Sequence, residues 1–139
     1  MSNTITSDIV YQLINVGDPS LSPNGARMAF AKSSIDHESM ETVSHVMMMD
    51  VASGESSRFT NGDKDSGPRF SPDGKTLAFS RPDSKGRKQI WAIPSAGGEA
   101  LKLTNVPGGI TDVAWSPDSG SLAFVSDVDP DPASRRPRS

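Results

Sequence analysis

Short runs of alternating apolar and polar residues, separated by turn residues, extend along most of this chain. Alternation with a period of two residues is typical of β-strands. In Leu77-Ala78-Phe79 and Leu122-Ala123-Phe124, large residues alternate with a small one, as expected where neighbouring sheets cover both faces of a strand. The pattern therefore predicts an all-β protein made of stacked sheets.

One turn phrase precedes each of these alternating runs, and it occurs three times, as Leu21-Ser22-Pro23-Asn24, Phe70-Ser71-Pro72-Asp73 and Trp115-Ser116-Pro117-Asp118. Pro sets φ for the first central turn residue, Asp or Asn favours the second, and Gly accepts the left-handed conformation that follows. Together they predict a type I turn in a three-residue hairpin loop with a bulge. In the third copy Ser119 stands where Gly25 and Gly74 stand, and Gly120 follows, so we expect that turn to be one residue longer.

The strands that follow each turn recur in the same order. The predicted strand regions are 19–32 (a hairpin), 44–51 and 56–60, then 67–80 (a hairpin), 88–93 and 100–104, then 112–126. Pro23 and Pro72 are 49 residues apart, and Pro72 and Pro117 are 45 apart. A four-strand unit recurring at this period is typical of propeller blades. The sequence thus predicts a partial β-propeller of about two and a half four-stranded blades.

The N-terminal residues depart from the strand pattern. Residues 5–16 place Ile9, Leu13 and Val16 on one helical face, with Thr6 or Ser7 as the N-cap and Gly17 at the end. This spacing predicts one short helix before the propeller. Its apolar face would dock either on the neighbouring sheet or on a second domain.

The C-terminal residues 127–139 carry turn residues and charge without an apolar pattern, which predicts a disordered tail. The expected organisation is a helical segment at 1–17, propeller blades at 18–126 with the third incomplete, and the tail at 127–139. Because propellers close with about 4 to 8 blades, we interpret the chain as a truncated array. Self-association through its open blade edges is then expected.

Composition and charge argue against several classes of partner and of functional site. The net charge of −3 gives no electrostatic reason to expect nucleic acid or an anionic membrane as a partner. The absence of Cys excludes a disulfide scaffold, a Cys-ligated zinc site and a Cys nucleophile from this chain. The N-terminus has no secretory signal and no segment has membrane-spanning length, so a cytoplasmic location is expected.

Motifs for catalysis, cofactors and metals do not occur in the sequence. There is no Gly-x-Ser-x-Gly elbow, no His-Glu-x-x-His and no phosphate-binding glycine loop, so we expect no catalytic and no cofactor-binding residues here. His37 and His45 lie near Asp36, Glu38 and Glu41, which would allow a metal site. We favour a solvated loop followed by a strand, and predict no metal ligands.

Other conspicuous residues have structural interpretations. Asp73 and Asp118 are predicted turn formers. The run Met47-Met48-Met49 aligns with Trp91-Ala92-Ile93 in the repeat, which indicates a core strand rather than a soft-metal surface. Trp91 and Trp115 occupy repeat positions and are predicted to pack. The basic stretch Arg81–Lys88 is interpreted as a solvated hairpin tip.

The phrases Phe70-Ser71-Pro72-Asp73-Gly74-Lys75-Thr76-Leu77-Ala78-Phe79 and Trp115-Ser116-Pro117-Asp118, with Gln89-Ile90-Trp91-Ala92-Ile93 and Leu101-Lys102-Leu103-Thr104, resemble the TolB-type blade motif. That motif occurs in periplasmic TolB proteins and in the propellers of several peptidases. The stretch Ser7-Asp8-Ile9-Val10-Tyr11, followed by Gly17-Asp18-Pro19-Ser20-Leu21-Ser22-Pro23-Asn24-Gly25 and later by Phe124-Val125-Ser126-Asp127, is similar to acylaminoacyl-peptidase-like and dipeptidyl-peptidase-like members of the prolyl oligopeptidase family of serine peptidases.

The resemblance implies a seven-bladed propeller that caps a C-terminal α/β-hydrolase domain with a Ser-Asp-His triad. In that family the propeller restricts access, so that peptides rather than folded proteins reach the nucleophile. No position of this chain matches the triad motifs, so the chain alone is expected to be inactive. The alternative is a TolB-like propeller that binds a protein partner without catalysis.

Overall fold

The computed structural model describes residues 14–36 and 38–126. Within these residues the chain forms ten strands and no helix. The strands are β1 (Ile14–Leu21), β2 (Arg27–Ile35), β3 (Thr42–Asp50), β4 (Ser56–Arg58), β5 (Ser66–Phe70), β6 (Thr76–Pro82), β7 (Lys88–Pro94), β8 (Leu101–Lys102), β9 (Asp112–Trp115) and β10 (Leu122–Val125).

These strands form three antiparallel sheets, each in chain order. The first sheet contains β1 to β4, the second contains β5 to β8, and the third pairs β9 with β10. The predicted all-β class and the three repeated units are confirmed. The repeat extends to an irregularity of the first strand: pairing shifts between Gly17 and Ser20 in β1 and between Ser66 and Arg69 in β5. The first two units thus share an irregularity at the same place in their first strand.

The predicted helix over residues 5–16 is wrong at its C-terminal end. Residues 14–16 belong to β1, where Ile14 pairs with Ser34 and Val16 pairs with Lys32. The backbone pairing offered by the long strand β2 outweighs the local helical spacing of apolar residues, which carries no information about distant partners. Residues 1–13, which include the rest of that prediction, lie outside the described residues, as does the predicted tail at 127–139.

The core lies between the sheets, as the alternating pattern predicts. Leu77 and Phe79 of β6 are 0% and 2% exposed and pack against the first sheet. Ala78, between them, is 1% exposed and packs towards the third sheet with Ile90. The small residue on one face and the large residues on the other allow β6 to be covered on both sides.

The three repeated turns share one length, so the longer third turn that we predicted is wrong. Gly74 N donates to Ser71 O at 2.8 Å, and Ser119 N donates to Ser116 O at 3.0 Å. The loop closes in the second and third copies with equivalent bonds of 2.8 Å, Ser71 N to Thr76 O and Ser116 N to Ser121 O. Ser119 itself adopts the left-handed conformation, at φ 61°, that Gly74 adopts at φ 74°. A serine there bears a strain that glycine avoids.

Candidate functional site

The turn aspartates are held by a repeated hydrogen-bond network. Ser71 Oγ donates to Asp73 Oδ1 at 2.6 Å, and Ser116 Oγ donates to Asp118 Oδ1 at 2.6 Å. Each Oδ1 also accepts a backbone N–H two residues later, from Lys75 and from Gly120. Donors to the ionised form lower the pKa of Asp73, with the Ser71 hydroxyl as the main cause, and the Ser116 hydroxyl does the same for Asp118. Both residues are confirmed as turn formers.

Hydrogen bonds connect each sheet to the next. Phe70 N donates to Ser20 Oγ at 3.1 Å across the first interface. Trp115 Nε1 donates to Arg69 O at 3.0 Å across the second. These bonds satisfy polar groups that the apolar interfaces would otherwise leave unpaired.

The connection between the first and second sheets contains a buried ion pair. Asp65 has a fully buried side chain, and its carboxylate accepts from Arg81 Nε at 2.8 Å and from Arg81 Nη2 at 3.0 Å. Gly62 N donates to the same carboxylate at 2.9 Å. The guanidinium lies 4.4 Å from the centroid of the Trp91 ring, within cation–π range. The prediction of a solvated tip is therefore wrong for Arg81, although Lys85 and the residues around it in the turn are exposed.

His45 makes a structural contact rather than joining a cluster of metal-binding side chains. Its Nδ1 donates to Gly62 O at 2.9 Å. At the equivalent repeat position, Gln89 Nε2 donates to Val106 O at 2.8 Å. His37 lies outside the described residues. Across residues 14–36 and 38–126, no group of three or more His, Cys, Asp or Glu side chains is arranged to hold a metal ion.

The methionine run and the tryptophans belong to the core. Met47 and Met48 are each 8% exposed, so the core-strand interpretation is confirmed. Trp91 is half-buried and packs against the core between the first two sheets, while Trp115 packs against the smaller core between the second and third. Both are confirmed as packing residues.

Surface clefts flank the second sheet. An apolar cleft of about 290 Å³ lies between the second and third sheets and includes Ile90, Leu103 and Phe124 in its lining. A polar cleft of about 350 Å³ lies at the turn after β6, where Lys85, Arg87 and Lys102 surround Asp83. The Asp83 carboxylate accepts the N–H groups of Arg87 and Lys85, and the Arg87 N–H is the main cause of its lowered pKa.

The repeated four-strand sheets, the turn network and the cores between sheets are the features of propeller blades. The family model of the TolB beta propeller domain matches residues 15–133. The chain belongs to this family. Within the described residues, no helix is long and apolar enough to cross a membrane.

Relatives of this TolB-type propeller chain include proteins named as peptidases. It is 37% identical to the uncharacterized peptidase YuxL of Bacillus subtilis over 123 residues, which are 88% of this chain and 19% of that protein. It is 26% identical to dipeptidyl-peptidase 5 of Porphyromonas endodontalis over 128 residues, which are 91% of this chain and 18% of that protein. The chain therefore spans about a fifth of the length of these relatives.

The solved structure of the Pyrococcus horikoshii acylaminoacyl peptidase has a similar fold, with a TM-score of 0.71 and 26% identity. The similarity covers 86% of this chain and 19% of that one. The resemblance to acylaminoacyl-peptidase-like and dipeptidyl-peptidase-like proteins, drawn from the sequence, is confirmed for the propeller portion.

Proposed function

We propose that this chain forms part of the propeller of a serine peptidase that hydrolyses short peptides. A C-terminal α/β-hydrolase domain of the full-length protein would supply the nucleophile, base and oxyanion donors. The observation that carries the proposal is the similarity over 88% of the chain to a protein named as a peptidase. The cytoplasmic location expected from the sequence is part of the same proposal.

In this role the propeller would restrict access to the catalytic domain. Such a restriction needs sheets that keep a fixed relation to one another, so that only extended or short chains can pass. The hydrogen bond from Trp115 to Arg69 joins the second and third sheets, and the bonds between Asp65 and Ser44 connect the buried pair of Asp65 with Arg81 to the first sheet. They support a gating role, because removing one partner of a buried pair is strongly destabilising.

The test is the intact mass and active-serine labelling of the natural gene product in its source cells. We expect a product several-fold larger than this chain that reacts with a fluorophosphonate probe. The purified product should hydrolyse short peptides and leave the same sequences intact within a folded protein. A product of the size of this chain, or a larger one that does not react with the probe, would overturn the proposal.

A second candidate is a TolB-like propeller that binds a protein partner without catalysis. It is favoured by the family itself, whose description names TolB and whose model matches residues 15–133. The same labelling separates the two candidates. A stable product without a reactive serine that co-purifies with one partner at a fixed ratio would favour binding.

A further inference from the structure

The polar cleft at the turn after β6 is positively charged, because the cations in its lining outnumber the carboxylate. The charged residues of the lining are Lys85, Arg87, Lys102 and Asp83, and the cleft has a volume of about 350 Å³. Among the residues that the structure describes, the ion pairs form elsewhere, and none of them includes a cation of this cleft. The cleft thus offers cationic side chains that no ion pair within the described part of the chain uses.

Both sides of the cleft are fixed by hydrogen bonds. Asp83 Oδ1 accepts from Lys85 N at 2.9 Å and from Arg87 N at 3.0 Å, which holds the turn after β6. The buried Gln89 Nε2 donates to Asp83 Oδ2 at 3.3 Å and to Val106 O at 2.8 Å. Gln89 therefore ties the turn to the connection that forms the other side of the cleft. A site that is ordered before its ligand arrives binds at a lower entropic cost.

Comparison with the first unit shows that the turn does not require these cations. Asp36 N donates to Glu41 O at 2.7 Å, and Asp36 Oδ1 accepts from Glu38 N at 3.1 Å. Asp83 makes the same two kinds of bond in the second unit. The first turn thus forms with two glutamates at the places where the second turn has two cations. The positive charge of the second turn is therefore available for a ligand.

The open side of the cleft does not depend on where the described residues end. The complete second sheet follows the first-unit turn and still leaves Asp36, Glu38 and Glu41 exposed. The side chain of Arg58, which matches Lys102 in the repeat, is 44% exposed. A sheet that follows the second unit is therefore expected to leave this cleft open as well.

We propose that the polar cleft binds a small anion through a carboxylate or phosphate group. Arg87 offers a planar fork of N–H donors that matches two oxygens of such a group, and Lys85 and Lys102 add positive charge. The volume of about 350 Å³ lies within the range of small-molecule sites. The inference goes beyond the peptidase proposal and does not depend on it, since it concerns only this cleft.

The test follows backbone amide signals of the isotopically labelled chain by nuclear magnetic resonance. The probes are inorganic phosphate and N-acetylated trialanine with a free carboxylate, each added in place of sodium chloride so that screening stays constant. We expect saturable shifts at Lys85, Arg87 and Asn105. Saturation by phosphate identifies a phosphate group as a ligand, and saturation by the peptide but not by its C-terminal amide identifies a carboxylate. If neither is observed, the proposal is overturned.

A double variant assigns the binding to the cleft. Lys85→Gln with Arg87→Gln removes two cations and keeps the backbone N–H groups that hold Asp83. Binding of the responding probe should become at least about tenfold weaker. The matched control, Lys64→Gln with Lys75→Gln, removes the same charge from exposed residues outside the cleft lining. Equal weakening in the two double variants would show that binding follows the net charge of the chain, which overturns the proposal.

Dispersed amide signals verify that each variant is folded. If the turn variant loses them, Lys102→Gln on β8 removes one cation of the cleft without changing the turn. Binding about threefold weaker or more is then expected, and an unchanged affinity would overturn the proposal.

Discussion

Arg81 holds the buried carboxylate of Asp65 through two parallel hydrogen bonds, of 2.8 and 3.0 Å. Backbone groups of Asp65 also connect to the first sheet, since its N–H donates to Ser44 O at 3.0 Å and its carbonyl accepts from Ser44 Oγ at 2.6 Å. One residue thus ties β3 of the first sheet to β6 of the second.

Removing the carboxylate with Asp65→Ala should strongly destabilise the protein. Arg81 would keep a charge in a site where its side chain is only 23% exposed, and Gly62 N would lose its acceptor. Breaking a buried pair on one side costs about 3 kcal/mol or more in the free energy of unfolding. Urea unfolding followed by tryptophan fluorescence measures this difference.

The matched control is Asp63→Ala. Asp63 Oδ1 lies 3.8 Å from Arg58 Nη2, and the side chains of Asp63 and Arg58 are 77% and 44% exposed. Exposed pairs contribute about 0.5 kcal/mol, so this variant should unfold close to the parent. Similar losses for the two variants would show that burial of the Asp65 pair is not what stabilises the connection.

Gly62→Ala tests how closely the backbone approaches the same pair. A Cβ at Gly62 would overlap the Asp65 carboxylate and approach Arg81, and the carboxylate is held in place by its two bonds. We expect a loss of about 2 kcal/mol in the free energy of unfolding, as is typical of overpacking. Gly17→Ala is the control, because a Cβ there meets nothing within 4 Å. If Gly62→Ala lowers the free energy of unfolding no more than Gly17→Ala does, the close approach of the Gly62 backbone to the Asp65 carboxylate is contradicted.

The repeat explains how far the fold could be predicted from the sequence. Turn residues and alternating runs recur at matching positions, so the strands, the sheet order and the burial of Met47 and Leu77 could be inferred from local patterns compared between units. The error at Ile14 has the opposite origin. Its conformation depends on pairing with Ser34, and a pairing partner 20 residues away leaves no mark on local spacing.

The ion pair escaped prediction because it is not part of the repeat. The positions that match Asp65 and Arg81 in the third unit are Ile110 and Ser126. In the sequence Arg81 opens a basic stretch that resembles a solvated turn. The hairpin of β5 and β6 brings residue 81 beside residue 65. Only this arrangement shows that the charge of Arg81 pairs with a buried carboxylate.

Acid should destabilise the protein through its turn aspartates. Hydrogen bonds lower the pKa of Asp73 and of Asp118 in the folded state, mainly those from Ser71 and Ser116. A folded pKa below the unfolded pKa means that the contribution to stability is complete above the unfolded pKa. It is lost as the pH falls through the folded pKa. The free energy of unfolding should therefore decline between about pH 5 and pH 2.

The double variant Asp73→Asn and Asp118→Asn isolates this effect. The first turn already uses Asn24, whose Oδ1 accepts from Ser22 Oγ at 2.8 Å and from Ala26 N at 3.0 Å. The amide can therefore keep the turn geometry without a titrating group. We expect near-parental stability at neutral pH and a shallower decline in acid, measured by urea unfolding across the pH range. Parallel declines of the parent and the variant would refute this source of acid sensitivity.

Gln89 and His45 provide a final test of the structural repeat. Gln89 is fully buried, and its Oε1 accepts from Thr104 Oγ1 at 2.8 Å and from Val106 N at 2.9 Å. Gln89→Leu leaves these donors unpaired and should cost about 2 kcal/mol in the free energy of unfolding. His45→Gln should be nearly neutral, because glutamine already makes the matching contact in the second unit. If His45→Gln instead destabilises the protein as much as Gln89→Leu, the two positions are not structural equivalents. The match between the two units would then not include these hydrogen bonds to Gly62 O and Val106 O.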